Sequence, residues 1–234
     1  PFGYFTDPEG FFFLSGFVAA LVVGKSLLEG DVLRFREKIL SRVKQLYLFE
    51  MALLGGLTLA LVLSPAYVQS YLSFNVDPTY LTLERRLFFA EHPLEAFSLG
   101  SVFLFQPWFL DLLPLYVYFT LLTPLVLKQL LKGHYKRVIA LSFGVWLLNF
   151  STPENMIMGA LRQFHPQVLM NFFNLMAWQL LYVMGLVFGF LKLTKKLPKL
   201  SRPLQTLAVV LASLFFFMKH WGCSFPWGTD LHNL

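Results

Sequence analysis

Charged residues are scarce in this sequence, and cysteine is almost absent. Lys, Arg, Asp and Glu make up 14% of the 234 residues, whereas a soluble domain usually carries about a quarter. The single cysteine, Cys223, excludes an intramolecular disulfide and a metal site built from several cysteines, and we predict no metal site. The sequence also lacks a Gly-rich phosphate loop, a His-Glu-x-x-His motif and a Gly-x-Ser-x-Gly elbow, so no common soluble-enzyme class is indicated.

Apolar residues take the place of the missing charge. Hydrophobic residues make up 56% of the chain, which contains 27 Phe and 5 Trp. Several uncharged runs reach or approach the length needed to cross a bilayer, so we predict an all-α, polytopic transmembrane helical bundle with about six spans. The predicted spans are residues 11–24, 46–63, 108–127, 138–150, 172–191 and 203–218. Residues 95–107 are apolar but interrupted, and they predict a re-entrant or interfacial helix.

The basic residues are concentrated between alternate spans. The loops at residues 25–44, 128–137 and 192–202 hold 15 of the 19 Lys and Arg residues. This asymmetry predicts that the three loops are cytoplasmic, and it explains the net charge of +6 without a nucleic-acid partner. Residues 34–44 predict an amphipathic helix on the inner leaflet, with membrane lipids as its partner.

The same orientation places residues 1–10 on the outer side. We therefore expect at least one earlier span and further spans after the last one. The chain is accordingly predicted to be a single transmembrane domain over residues 1–234 that is incomplete at both ends.

Polar and aromatic residues at the predicted outer ends of the spans indicate a pocket for a polar substrate, because Trp and Tyr can stack on a sugar ring and also form hydrogen bonds. These residues are Glu9, Asp111, Tyr116, Asn174, Trp178 and Gln179. Glu50, in the inner turn of span two, is a further candidate, since an ionisable residue is costly in lipid.

Each candidate residue also has a purely structural interpretation. Ser15 can serve as a small residue for close helix contact, and Gln179 can form an interhelical hydrogen bond. Asp111 and Glu9 can be helix N-terminal residues that interact favourably with the helix dipole. Glu50 can pair with a basic residue of the preceding helix.

Three segments of the sequence resemble a known family. Residues 9–16, Glu-Gly-Phe-Phe-Phe-Leu-Ser-Gly, resemble the A-E-x-F-V-F-L-S-G segment of OpgC-type proteins. Residues 106–116 resemble the family's Q-P-x-x-x-D-x-L-P-L-Y segment, and residues 173–180 are similar to its F-N-P-x-A-W-Q-L segment. The three segments occur in the family's order and spread over most of the chain.

The resemblance implies a function for the chain. OpgC-type proteins are membrane acyltransferases that succinylate periplasmic glucans, and they are related to the acyltransferase-3 superfamily. It implies a bacterial inner-membrane O-acyltransferase with a glycan acceptor, succinyl-CoA as donor and no bound cofactor; the oligomeric state is left open. The predicted catalytic residues are Asp111 and Glu9, which lie in the three segments, and Glu50, which lies outside them. The implied substrate-binding residues are Tyr116, Asn174, Trp178, Gln179 and Ser15.

Two departures and two rival functions accompany this expectation. The family usually has a histidine a few residues after the Leu46-Tyr47 pair, where this chain has Glu50. The superfamily's proposed catalytic histidine lies on a first span that we expect to precede this sequence. A membrane transporter subunit is the first rival, and it would need internal repeats and ionisable residues near the bilayer midplane. A non-catalytic membrane scaffold or sensor is the second.

Overall fold

A computed structural model describes residues 7–64, 87–107, 110, 112–149 and 175–197, and parts of 202–214; for residues 7–9 only the backbone is described. The regular elements in these ranges are helices. In chain order they are α1 (Asp7–Leu28), α2 (Val32–Leu63), α3 (Pro93–Ser101), α4 (Leu112–Leu131), α5 (Tyr135–Leu148) and α6 (Leu175–Leu193). Residues 87–91 are also helical.

Four of these helices, α1, α2, α4 and α6, are long and apolar enough to cross a membrane. The protein is therefore an all-α, multi-pass membrane bundle, as the sequence predicts. The predicted number of spans is corrected to four within the described ranges. The segment predicted as span four forms α5, which has only 14 residues and reaches roughly 21 Å at 1.5 Å per residue. The predicted span at residues 203–218 lies largely outside the described residues.

Helix α2 differs most from the prediction. It runs unbroken for 32 residues, about 48 Å, whereas the sequence predicted a separate surface helix over residues 34–44 followed by span two. The two segments are continuous because residues 32–54 contain no glycine or proline, the residues that most strongly interrupt helices. Asp31 begins the helix by accepting a hydrogen bond from the Arg34 backbone nitrogen at 2.9 Å.

Two tight connections join neighbouring helices at one end of the bundle. Residues 29–31 link α1 to α2, and residues 132–134 link α4 to α5. Gly30 and Gly133 have φ values of 77° and 80°, the left-handed conformation that glycine adopts without strain. Helix α6 lies parallel to α1 and also ends here. This end carries the clustered Lys and Arg residues, and we call it the basic end.

The turn after α3 adopts the same conformation without glycine. Phe103 has a φ of 62°, which is unusual for a bulky residue. Its ring makes edge contacts with the rings of Tyr47 and Tyr118, each at 5.8 Å between centroids. The Tyr47 hydroxyl also donates to the Ser101 carbonyl at 3.2 Å. The nine-residue α3 therefore ends beside the middle of α2, and whether it is re-entrant or interfacial stays a prediction.

Helices α1 and α6 approach each other through glycine. A Cβ at Gly16 would overlap the Tyr182 carbonyl oxygen, and a Cβ at Gly185 would overlap the Phe13 carbonyl oxygen. Small residues allow this approach, which is common where membrane helices pack by van der Waals contact. The main apolar core forms around this pair and includes Phe12, Leu115 and Leu186. A second core joins the later half of α2 to α3 and to residues 88–89, 105 and 110.

Candidate functional site

Segments from the three sequence motifs meet at the ring of Phe12. This ring is fully buried, and its centroid lies 5.1 Å from that of Tyr116 and 4.9 Å from that of Trp178. The three residues come from α1, α4 and α6, which are distant in sequence. Their convergence is a property of the fold that the separate motifs do not reveal.

A cleft of about 760 Å³ begins beside this aromatic cluster and runs towards the basic end. Its walls are α1, α2 and α4, and Tyr182 of α6 also contributes to its lining. Ser15 and Tyr116 lie towards its aromatic end, while Lys38 and Arg42 line it nearer the basic end. Two of the predicted binding residues therefore share one cavity.

Hydroxyl groups form a row along the cleft. Tyr116, Thr120 and Thr123 follow one another at helical spacing on α4 and all line the cavity. The Thr123 hydroxyl donates to the Phe119 carbonyl at 2.9 Å and is 2.8 Å from the Tyr182 hydroxyl, so Tyr182 is the donor in the second bond. These groups give an otherwise apolar bundle a polar interior surface.

The Tyr116 hydroxyl is buried and has no hydrogen-bond partner of standard geometry among the described residues. Ser15, which also lines the cleft, is close enough to interact with this hydroxyl as a hydrogen-bonding group. A buried polar group left without a partner costs roughly 1–3 kcal/mol. Both hydroxyls are therefore suitable for binding a polar group that enters the cleft.

The Lys38 side chain connects α2 to α1 by hydrogen bonds. Its Nζ donates to the Val22 carbonyl oxygen at 3.0 Å and to the Ser26 hydroxyl at 2.9 Å. Arg42 follows four residues later on the same face of α2 and lies close enough to Tyr182 to interact with its hydroxyl electrostatically. The two cations thus differ, because among the described residues Lys38 donates hydrogen bonds to another helix and Arg42 does not.

Two further polar side chains are completely buried. Glu50 is 0% exposed and lies along α2 between the residues that join the two apolar cores. It lies 13 residues, about 20 Å, from the last residue of α2 and 18 residues, about 27 Å, from the first. Its predicted place in the inner turn of span two stays a prediction. Gln106 is also 0% exposed, and its amide finds no hydrogen-bond partner in the described part of the chain.

A comparison with protein families identifies the relationship that the motifs suggest. The family model described as OpgC protein matches residues 1–231. The chain belongs to the OpgC family. No curated protein and no solved structure matches it.

The OpgC-type segments are only partly covered by the described residues. Asp111 and Asn174 lie outside them, as does the side chain of Glu9, whose backbone belongs to α1. Their predicted roles stay predictions. Ser15, Tyr116 and Trp178 are brought together around Phe12 and the cleft, while Glu50 lies further along α2. Among the described residues no group of three or more His, Cys, Asp and Glu side chains could hold a metal ion.

Trp178 and Gln179 of the third OpgC-type segment face different neighbours. Trp178 packs on Phe12, whereas the Gln179 side chain pairs with Ser142 of α5. The Ser142 hydroxyl donates to Gln179 Oε1 at 2.7 Å, and Gln179 Nε2 donates to the Ser142 carbonyl at 2.7 Å. The interhelical alternative for Gln179 is thus realised, and its role in binding substrate stays a prediction.

We expect Gln179→Leu to destabilise the protein by roughly 1–2 kcal/mol, because interhelical hydrogen bonds in membranes each contribute about 0.6 kcal/mol on average and up to about 1.7. Ser142→Ala should cost less, since the backbone carbonyl of residue 142 still accepts from Gln179. The double variant should resemble Gln179→Leu alone. The measurement is the free energy of unfolding in mixed detergent micelles, and additive effects would show that the two side chains act independently.

Sequence reasoning missed the cleft residues Lys38, Arg42, Thr120, Thr123 and Tyr182. The sequence did contain a pattern that could have identified the two threonines, because the hydroxyl groups at positions 116, 120 and 123 fall on one face of a helix. Lys38 and Arg42 were hidden among the other basic residues of the first loop. Nothing in the sequence distinguishes a lysine that faces a cavity from one that faces solvent.

Proposed function

We propose that this protein is a membrane O-acyltransferase that transfers an acyl group from acyl-CoA to a hydroxyl of a glycan on the outer side. The observation that carries the proposal is the meeting of the three OpgC-type segments at Phe12, Tyr116 and Trp178. The polar cleft that starts at this cluster supports it, since group transfer needs a cavity that two substrates can reach. The resemblance favours succinyl as the acyl group.

In the proposed reaction the glycan oxygen forms a bond with the thioester carbonyl carbon. The carbon–sulfur bond breaks, and the proton of the hydroxyl ends on the leaving thiol. A general base that accepts this proton contributes about 10²–10⁴ in rate. We assign Asp111 the role of orienting that base, and the Tyr116 and Ser15 hydroxyls the binding of polar substrate groups.

The aromatic cluster is suited to the acceptor. Trp178 is half-buried beside Phe12, so part of its indole remains available for stacking on a sugar ring. A glycan would reach it from the end of the bundle opposite the basic end. The thioester donor would approach through the cleft from the basic end, for which the charge distribution predicts a cytoplasmic location.

The test is acyl transfer by the full-length protein in nanodiscs. Purified protein would receive radiolabelled succinyl-CoA or acetyl-CoA together with a periplasmic β-glucan, and label on the glucan would be measured. We expect succinyl transfer that depends on the protein and on the acceptor. Hydrolysis without transfer, or no reaction with either donor, would overturn the proposed function.

The orientation can be tested separately. In a Cys223→Ser background, single cysteines at the exposed positions Glu29, Lys132 and Lys195 should resist a membrane-impermeant thiol reagent in intact cells. A cysteine at the exposed Glu91 is the matched control and should react. Ready labelling of the first three positions would reverse the predicted topology and the direction from which each substrate arrives.

A further inference from the structure

We infer that the cleft has a phosphate-binding site at Arg42, for a ligand that carries a phosphate on a slender stem with hydrogen-bonding groups. The inference deepens the proposed function, on which its assignment to the donor rests. It concerns a group that neither the motifs nor the family comparison singles out.

The lining of the cleft carries more positive than negative charge. Its lining contains two cations, Lys38 and Arg42, and one carboxylate, Glu37. Among the described residues neither Arg42 nor Glu37 forms an ion pair within 4.0 Å, so the guanidinium is not neutralised by its neighbour. The lining therefore retains an excess positive charge.

The two cations of the cleft differ in their hydrogen bonding. Two protons of Lys38 are already donated to Val22 and Ser26, so this side chain sets the spacing of α1 and α2. Within the described ranges the Arg42 guanidinium forms no such bond between helices, and its planar fork suits phosphate oxygens. Arg42 is thus the phosphate ligand, and Lys38 is a positioning residue.

The lining of the rest of the cavity contains several hydroxyl groups. Above Arg42 the cleft is lined by Thr120, Thr123 and Tyr182 and then by Tyr116 and Ser15. A saturated lipid chain would leave these hydroxyls without new partners, whereas a stem with amide or carbonyl groups could bond to them. The arrangement fits an acyl thioester on a phosphorylated carrier better than it fits a phospholipid tail.

Ligand binding to the full-length protein in zwitterionic nanodiscs tests the inference. The probes are coenzyme A, which has stem and phosphates, pantetheine, which has the stem alone, and inorganic pyrophosphate. Arg42→Gln should raise the Kd for coenzyme A roughly ten- to a hundredfold, as expected for a lost hydrogen bond between charged groups, and leave that for pantetheine unchanged. Arg34→Gln, on the same helix and exposed but outside the cleft, should leave both values unchanged.

Equal Kd values for coenzyme A in wild type and Arg42→Gln would overturn the inference, as would an equal loss in Arg34→Gln. If coenzyme A does not bind but phosphatidylglycerol, in a second set of nanodiscs that contain it, protects Arg42 from an arginine-specific reagent, the phosphate belongs to a lipid and the donor assignment is wrong. If coenzyme A binds in an Arg42-dependent way but no acyl transfer occurs, the proposed function is refuted and the phosphate-binding site is supported. Arg42 is exposed, so the variant should fold, which thermal unfolding would check.

Discussion

Replacing Gly185 by leucine is expected to abolish the folded bundle. A Cβ at this position would overlap the Phe13 carbonyl oxygen and lie 2.9 Å from the Phe17 backbone nitrogen. Backbone atoms of a helix cannot move aside as a flexible side chain can, so α1 and α6 would have to separate. We expect a loss above about 3 kcal/mol, at or beyond the upper end of ordinary overpacking.

The measurement for Gly185 is the yield of monodisperse protein and its melting temperature in detergent. Gly185→Ala should already lower both, because a single methyl group makes the clash. Gly144→Ala is the matched control, since a Cβ at that helical glycine meets nothing within 4 Å and alanine favours the helix by about 1 kcal/mol. Wild-type stability of Gly185→Ala would show that the close approach of the two helices does not hold the bundle together.

Replacing Asp111 by asparagine is expected to lower acyl transfer by at least about a hundredfold, the lower limit for a general base that is no longer held in its active form. The carboxylate stands in the Gln106–Tyr116 motif, between the buried Leu110 and the first residue of α4. Asparagine keeps the shape of the side chain but loses the charge that stabilises a protonated base. The measurement is succinyl transfer at saturating donor and acceptor.

The alternative for Asp111 makes the opposite prediction. Asparagine caps a helix about as well as aspartate, so near-normal transfer by the variant would mean that Asp111 only begins α4. Glu91→Gln removes an exposed carboxylate and is the control for a general loss of negative charge. Equal accumulation and equal melting temperature of the two variants would separate a chemical effect from misfolding.

The structure also explains why some sequence interpretations were incomplete. The apolar runs predicted the four long helices correctly, because a span must be apolar over its whole length. They did not predict that α2 continues through residues 32–45, since the charges there matched a surface helix equally well. A helix continues where no glycine or proline interrupts it, and the charge pattern carries no information about that.

The partners of individual polar residues were equally hidden. Gln179 was open to two interpretations until α5 placed Ser142 against it. The sequence also contained no sign that Glu50 is completely buried. Ser142 lies on another helix, and helix spacing within one segment cannot identify such a neighbour.

The sequence by itself determined that this is a multi-pass helical membrane protein and, through three motifs, that it resembles the OpgC family. Composition and motifs are local properties, and each can be read without knowing where the helices lie. Only the tertiary structure decided that Phe12, Tyr116 and Trp178 share one cluster and that Lys38 and Arg42 face a cavity. The physical reason is that both depend on contacts between helices that are distant in sequence, such as the close approach of α1 and α6 at Gly16 and Gly185.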